Sequence, residues 1–274
     1  MKSAELQRIA AGREAEIFAW EDGKVLRLFR NPNAGEAVRR EAAAMTAVRQ
    51  VVPLVPLVSE VVEVDGRPGL ILERIDGPDL LSRFKERPWT LWEAGRLTGR
   101  VHAELNRLPG PESLPDVKQQ IERKLSRLPA VPAAIAERAR ALLQDLPDGD
   151  RLLHGDMHLA NVILTDAGPI VIDWPNAARG EPTADLARTM AIGRANRAPE
   201  GTPRLRLAVE MAGRKLVFRA HERAYRRGLP VDAALLDRWL VVRAAERLAE
   251  AIPEERAWLL HFVQTSLGVD TGEF

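Results

Sequence analysis

The chain opens with alternating apolar and polar positions and later changes to apolar residues every third or fourth position. Glu14–Trp20 and Lys24–Arg30 are rich in β-formers and flank Asp22-Gly23, a strong hairpin signal. In the second run, alternation sets Val25, Arg27 and Phe29 on one face and Leu26 and Leu28 on the other. Residues 34–50 are alanine-rich and charged, with no proline, and predict a helix. Val51–Val64 is β-branched but interrupted by Pro53 and Pro56. Asp65–Gly69 predicts a turn and Leu70–Ile75 a short strand. The first 75 residues therefore predict the order β-β-helix-β-β.

After Asp76-Gly77-Pro78 the pattern becomes helical. Leu91, Ala94, Leu97, Val101, Leu105 and Leu108 recur at helical steps, and residues 117–127 and 131–146 repeat that pattern. Residues 151–173 return to short strands around a polar loop. Residues 182–268 predict helices broken near Arg197–Pro203, Gly228–Pro230 and Pro253. The expected division is a small mixed lobe, residues 1–75, and a larger, mostly helical lobe, residues 76–274.

Composition narrows the function classes. With 40 basic and 39 acidic side chains in 274 residues, the net charge is +1, which gives no reason to expect a general nucleic-acid or membrane-surface binder. There is no cysteine, so thiolate metal sites and cysteine nucleophiles are excluded. Charges at Lys2, Glu5, Arg8, Arg13, Glu14 and Glu16 break any apolar leader, and no long apolar run predicts a membrane span. A cytoplasmic protein is the expectation.

The candidate chemistry lies in residues 151–173. The loop carries His154, Asp156, His158 and Asn161, and it leads into strand Val162–Leu164, turn Thr165–Gly168 and strand Ile170–Ile172, ending on Asp173. Such a hairpin places Asn161 and Asp173 together at its open end, with Asp156 just before. Phosphoryl transfer needs a carboxylate to orient or deprotonate the attacking hydroxyl and hard oxygen ligands for Mg²⁺. The Asp156–Asn161 spacing equals that of the kinase catalytic loop, and Asp173 stands where the aspartate of D-F-G stands. A His154–Asp156–His158 metal triad, as in a metal-dependent hydrolase or oxygenase, is the competing reading, but it leaves Asn161 and Asp173 unexplained.

His-Gly-Asp-Met-His-Leu-Ala-Asn at 154–161 resembles the H-G-D-x-H-x-x-N signature of the aminoglycoside phosphotransferase and choline kinase family. Ile172-Asp173-Trp174 and Asp185-Leu186-Ala187 resemble the segments that follow it. The resemblance implies an α+β, bilobal, protein-kinase-like fold, with a small N-terminal antiparallel sheet plus one helix and a larger, mostly helical C-terminal lobe. It implies Asp156 as the catalytic carboxylate, Asn161 and Asp173 as magnesium ligands, and His154 as scaffold. His158 stays open between scaffold and neighbour of Asp156, Asp185 between loop tie and helix cap, and Trp174 between cleft floor and core.

The same resemblance puts a nucleotide, ATP or GTP, under the first hairpin. Arg27 matches the nucleotide-binding lysine, Glu41 is its helix partner, and Glu73 and Ile75 flank the adenine at the hinge. Two departures stand out. Arginine replaces the usual lysine, and Gly12 is the lone glycine of a segment that is not G-x-G-x-x-G. They keep a second reading open, a non-catalytic nucleotide-binding pseudokinase. The expected partners are a nucleotide and a small hydroxyl-bearing substrate. The acceptor is not legible. The helix over 203–228 is rich in arginine and lysine, which would suit an anionic or neutral acceptor if it faced the cleft, and the chain ends on an acidic tail, Asp270–Phe274.

Overall fold

The computed structural model describes residues 6–21, 23–52, 55–126, 133–195 and 203–269. Among these, β1 (Arg8–Ala11), β2 (Ala15–Trp20) and β3 (Lys24–Phe29) precede α1 (Gly35–Arg49), and β4 (Val58–Val64) and β5 (Arg67–Glu73) follow it. The five strands form one antiparallel sheet in the order β1-β2-β3-β5-β4. The expected alternation in β3 holds. Leu26 and Leu28 pack on the outer face with Phe18, Val64 and Ile71, while Phe29 joins the inner core with Val38 and Met45 of α1.

Two strand assignments differ from the sequence reading. β1 is an added edge strand whose four residues are all exposed, so no burial pattern marks it. β5 begins at Arg67, inside the segment expected to be a turn. Pro68 is tolerated because the β3 partner ends opposite Gly69, leaving Pro68 paired only with Glu63 of β4. Gly69 is required there: a Cβ would stand 2.9 Å from Leu26 Cδ1 and 3.2 Å from the Arg27 carbonyl.

The second part of the chain holds α2 (Leu80–Glu86), α3 (Leu91–Leu105), α4 (Val117–Ser126) and α5 (Ala133–Gln144) before the strand–loop segment. Asp79 caps α2 by accepting the Ser82 N–H at 2.9 Å. Strand β6 (Arg151–Leu153) pairs with β9 (Ala178–Gly180), and β7 (Val162–Thr165) pairs with β8 (Gly168–Val171). Four helices follow: α6 (Pro182–Ala195), α7 (Arg204–Gly228), α8 (Ala233–Leu248) and α9 (Pro253–Leu267). α3 packs along α7 and α6 against α8. The breaks at Gly228–Pro230 and Pro253 fall as expected, whereas that at Arg197–Pro203 and the tail Asp270–Phe274 fall largely or wholly outside the described residues. No described helix is long and apolar enough to cross a membrane.

The segment between the two parts is docked on the β7–β8 hairpin. Leu164 N–H donates to the Pro78 carbonyl at 3.0 Å, and Asp79 bridges to Ile163. Gly77 adopts φ 150°, and a Cβ there would meet the Leu164 carbonyl oxygen at 2.0 Å. The sheet is thus fixed over the hairpin that carries the candidate chemistry.

Candidate active site

β6 delivers the loop. Beyond Leu153, Gly155 takes φ 77°, and a Cβ there would stand 2.5 Å from the Asn176 carbonyl oxygen, so both conformation and space call for glycine. His154 is fully buried. Asp156 N–H donates to His154 Nδ1 at 3.1 Å, so Nε2 carries the ring proton and donates to the Ile172 carbonyl at 3.1 Å. Burial holds this imidazole below its ordinary pKa, in agreement with a neutral ring. Its face packs on Trp174, with centroids 4.5 Å apart. His154 is therefore scaffold. Trp174 is core: it is fully buried, and its Nε1–H donates to the Val171 carbonyl.

With both nitrogens of His154 engaged, the metal-triad reading fails. Among the described residues no group of three His, Asp or Glu side chains could hold a metal ion.

Asn161 follows on a single 3-10 turn and is 5% exposed. Its Nδ2 donates to the Asp156 carbonyl at 2.9 Å and lies 3.3 Å from His158 Nε2. That fixes the amide so that its oxygen points away from the loop backbone. The Ile172 N–H donates to the Asn161 carbonyl at 3.0 Å, which brings Asp173 alongside. Asp173 has φ 70°, a left-handed conformation uncommon for a non-glycine residue, which marks a backbone held by its surroundings.

Arg27 closes the set. On one side it is ion-paired with Glu41 of α1; on the other its Nη2 lies 3.0 Å from Asp173 Oδ1. The expected Arg27–Glu41 pair is thus present, and it also reaches the hairpin. Glu41 is only 3% exposed. Burial raises its pKa to about 7, against the pull of Arg27, with Asp173 pushing the same way as burial.

Asp156 behaves in the opposite sense. Burial alone would raise its pKa, but His158, with Nε2 at 3.6 Å, and then Arg188 and His154 outweigh that and hold it well below the ordinary carboxylate range. The side chain is ionised at neutral pH. His158 is thus a neighbour of Asp156.

Glu73 and Ile75, expected at a hinge, lie where the chain leaves β5. Glu73 N–H donates to the Leu57 carbonyl at 2.9 Å, and its carboxylate accepts the Leu57 N–H at 3.0 Å, so both groups are used within the protein. Main-chain contact with a base would fall to the Glu73 carbonyl and to Ile75.

Sequence reasoning left open or missed what holds the loop from below. Asp185 accepts the His154 N–H at 2.7 Å and the Gly155 N–H at 2.8 Å. The same carboxylate accepts from Asn106 Nδ2 at 3.0 Å and lies 3.1 Å from His102 Nε2. Asp185 is a loop tie. Tyr225 Oη donates to Asn106 at 2.7 Å, and His221 Nε2 lies 3.0 Å from His102 Nδ1. A second anchor is Arg188, which donates to the Gly155 carbonyl and is held by Glu250 at 2.7 Å. The available signal was a polar or charged residue inside an apolar helical stripe, His102 in α3 and Asp185 and Arg188 in α6.

Asn161 and Asp173 offer one neutral and one anionic oxygen, hard ligands of the kind Mg²⁺ takes when phosphates and water complete its shell. The Asp173 side chain pairs with Arg27 through Oδ1 and is 34% exposed, so its carboxylate can still be reached by a cation. The arrangement brings together the carboxylates and amide that a kinase-type phosphotransfer site would need.

Comparison with known proteins agrees. The model of APH, the phosphotransferase enzyme family, matches residues 5–224, and the chain belongs to that family. It is 30% identical over 127 residues to the streptomycin 6-kinase of Streptomyces glaucescens, covering 43% of this chain and 40% of that protein. It is also 30% identical over 142 residues to the hydroxyurea phosphotransferase of Kitasatospora aureofaciens, covering 48% and 41%. The chain thus matches about two fifths of the length of these curated relatives. Among solved structures, a thermostable mutant of aminoglycoside phosphotransferase APH(4)-Ia, in a ternary complex with ADP and hygromycin B, superposes with a TM-score of 0.64. It is 16% identical and covers 98% of this chain and 95% of its own. The macrolide 2'-phosphotransferase MphH from Brachybacterium faecium superposes at 0.50 with 19% identity, covering 98% and 92%. These structures share the bilobal, kinase-like fold.

Proposed function

We propose that the chain is a kinase that transfers the γ-phosphoryl group of ATP or GTP to a hydroxyl of a small molecule. The observation that carries this reading is a run of contacts from Glu41 to Arg27 and from Arg27 to Asp173, whose neighbour Ile172 bonds Asn161, which in turn bonds Asp156. It joins a nucleotide cradle to a hydroxyl-orienting carboxylate. The family, and relatives named as kinases of streptomycin and hydroxyurea, support the reaction class. Neighbours solved with ADP or GDP support nucleotide binding. Nothing among the described residues favours a non-catalytic nucleotide binder.

In this reading residues 1–75 form the nucleotide-binding lobe and residues 76–274 the lobe with the catalytic loop and acceptor pocket. Arg27, held by Glu41, presents its guanidinium to the phosphates. Asn161 and Asp173 hold magnesium, which supplies neutralisation of the β- and γ-phosphate charge. Glu73 and Ile75 place the base. Asp156 accepts a hydrogen bond from the attacking hydroxyl and fixes its line of approach. Because its pKa is depressed, Asp156 is a weak base at neutral pH. Its role is orientation, with proton uptake late in the transfer, as suits a loose phosphoryl transition state.

A thermal-shift screen with Mg·ATP and Mg·GTP, followed by an ADP- or GDP-release assay over a library of hydroxyl-bearing small molecules, tests the proposal. It predicts magnesium-dependent stabilisation by a nucleotide and acceptor-dependent release. No nucleotide-dependent shift together with no release would overturn it.

A further inference from the structure

Most charged side chains in the helical part have partners. Arg188 and Arg243 meet Glu246, Arg247 meets Glu255, and on α7 itself Arg226 meets Glu222 at 3.0 Å. The outer seam between α3 and α7 gathers charges without such partners. Arg96 and Arg100 on α3 and Arg223 and Arg227 on α7 are exposed, and none makes an ion pair or hydrogen bond among the described residues. Each pair is spaced i,i+4, the arrangement in which like charges repel along a helix.

The backbone explains why these side chains face one another. α3 and α7 cross almost in contact. At Gly95 a Cβ would meet the Val217 carbonyl at 2.5 Å, and at Gly99 the His221 carbonyl at 2.2 Å. The seam is floored by Ala103, Ala220 and Ala224, and the long arginines rise from both rims. Between them lie two adjoining concavities of about 290 Å³ each, which share Arg96, Ala224 and Arg227. Trp92 lines one end. At the other, Arg107 donates to the Gly228 carbonyl. Glu104 is the one carboxylate lining them.

We propose that this seam is a second binding site, for a compact oligophosphate: a small ligand carrying two or more linked phosphate groups. Guanidinium groups bind phosphate through paired N–H donors, and two rows of them match a ligand with several adjacent anionic groups. The floor of alanines gives the depth. The size of each concavity, near the lower end of small-molecule pockets, favours a compact ligand over a long chain. The ligand would relieve the repulsion that both i,i+4 pairs build into the free protein. The site is separate from the phosphotransfer site, since none of Arg27, Glu41, Asp156, Asn161 and Asp173 lines it.

The test is calorimetric titration of inorganic tripolyphosphate, without magnesium, into the intact chain and two double variants, Arg96→Gln/Arg227→Gln and Arg100→Gln/Arg223→Gln. Arg27→Met serves as a control for the nucleotide cradle. The intact chain should bind tripolyphosphate, more weakly as salt is raised through the screening range. Both double variants should lose at least tenfold in affinity while keeping the melting temperature and phosphotransfer activity of the intact chain. Absence of binding by the intact chain at low salt, or an affinity in either double variant equal to that of the intact chain, would overturn the proposal. So would binding lost only in Arg27→Met, which would assign the anion to the nucleotide cradle. A single-stranded oligonucleotide that binds the seam more tightly than tripolyphosphate would also overturn it, in favour of nucleic acid. The kinase reading is decided separately, by acceptor-dependent release.

Discussion

Arg27 Nη2 stands 3.0 Å from Asp173 Oδ1 while the same guanidinium is paired with Glu41. One cation thus ties the sheet, α1 and the β7–β8 hairpin. A lysine, a single point charge on a flexible stem, could not make the same planar two-sided contact. Replacing Arg27 by Met leaves Glu41 buried without its counter-charge. We expect a stability loss of about 3 kcal/mol in chemical denaturation and at least tenfold weaker nucleotide binding by calorimetry. Arg27→Lys keeps the charge and should keep nucleotide-dependent turnover within about tenfold of the intact chain.

Glu41 makes the stability of this region depend on pH in an unusual direction. Its pKa rises from 4.5 to about 7 on folding, chiefly through burial. The folded state therefore binds a proton more tightly than the unfolded chain. The contribution is fully present below about pH 4.5 and is lost as pH rises through 7. Glu41→Gln removes this dependence. The stability difference between Glu41→Gln and the parent, followed by urea denaturation from pH 5 to pH 8, should move in favour of the variant by about 2–3 kcal/mol. A constant difference would contradict the buried, proton-binding state.

Asp185 sets the loop geometry from beneath. Burial alone would raise its pKa, but His102, Asn106 and His154 hold it well below the usual range. Its contribution is present above the ordinary carboxylate pKa and is lost as pH falls below it. Asp185→Asn removes the charge facing the His154 and Gly155 N–H groups. It should cost about 3 kcal/mol and lower turnover at least tenfold, with nucleotide affinity little changed because Arg27 and Asp173 stay in place. Denaturation midpoints and steady-state rates check both parts.

Gly77→Ala should have a sharp effect for a surface substitution. The added Cβ would stand 2.0 Å from the Leu164 carbonyl, against backbone that cannot give way, and φ 150° is unsuited to alanine. We expect a loss of about 2–3 kcal/mol and a drop in turnover, since the clash pushes the sheet off the hairpin.

What could be read from the sequence was what is local. The loop His154–Asn161, the hairpin to Asp173 and the Arg27–Glu41 pairing rest on short spacings, on strand alternation and on one recognisable signature, and the structure places them as expected. The edge strand β1 was not legible because Arg8–Ala11 buries nothing. The start of β5 was misread because Pro68 and Gly69 carry turn chemistry, and only the end of the β3 pairing makes room for the proline. The support beneath the loop was only partly legible: Asp185 stood open between loop tie and helix cap, and its partners could not be read. Asp185 meets His154 across 31 positions and His102 across 83, and no periodicity encodes such a meeting. The same holds for the arginine seam, which exists only because glycines let α3 and α7 approach.

The central claim is that Asp156 orients an acceptor hydroxyl toward a nucleotide held by Arg27, Asn161 and Asp173. Its most direct measurement is acceptor-dependent ADP or GDP release by Asp156→Asn beside calorimetric nucleotide binding by the same variant. Turnover should fall about 10²–10⁴-fold while Mg·nucleotide affinity is retained. Turnover equal to that of the intact chain would contradict it.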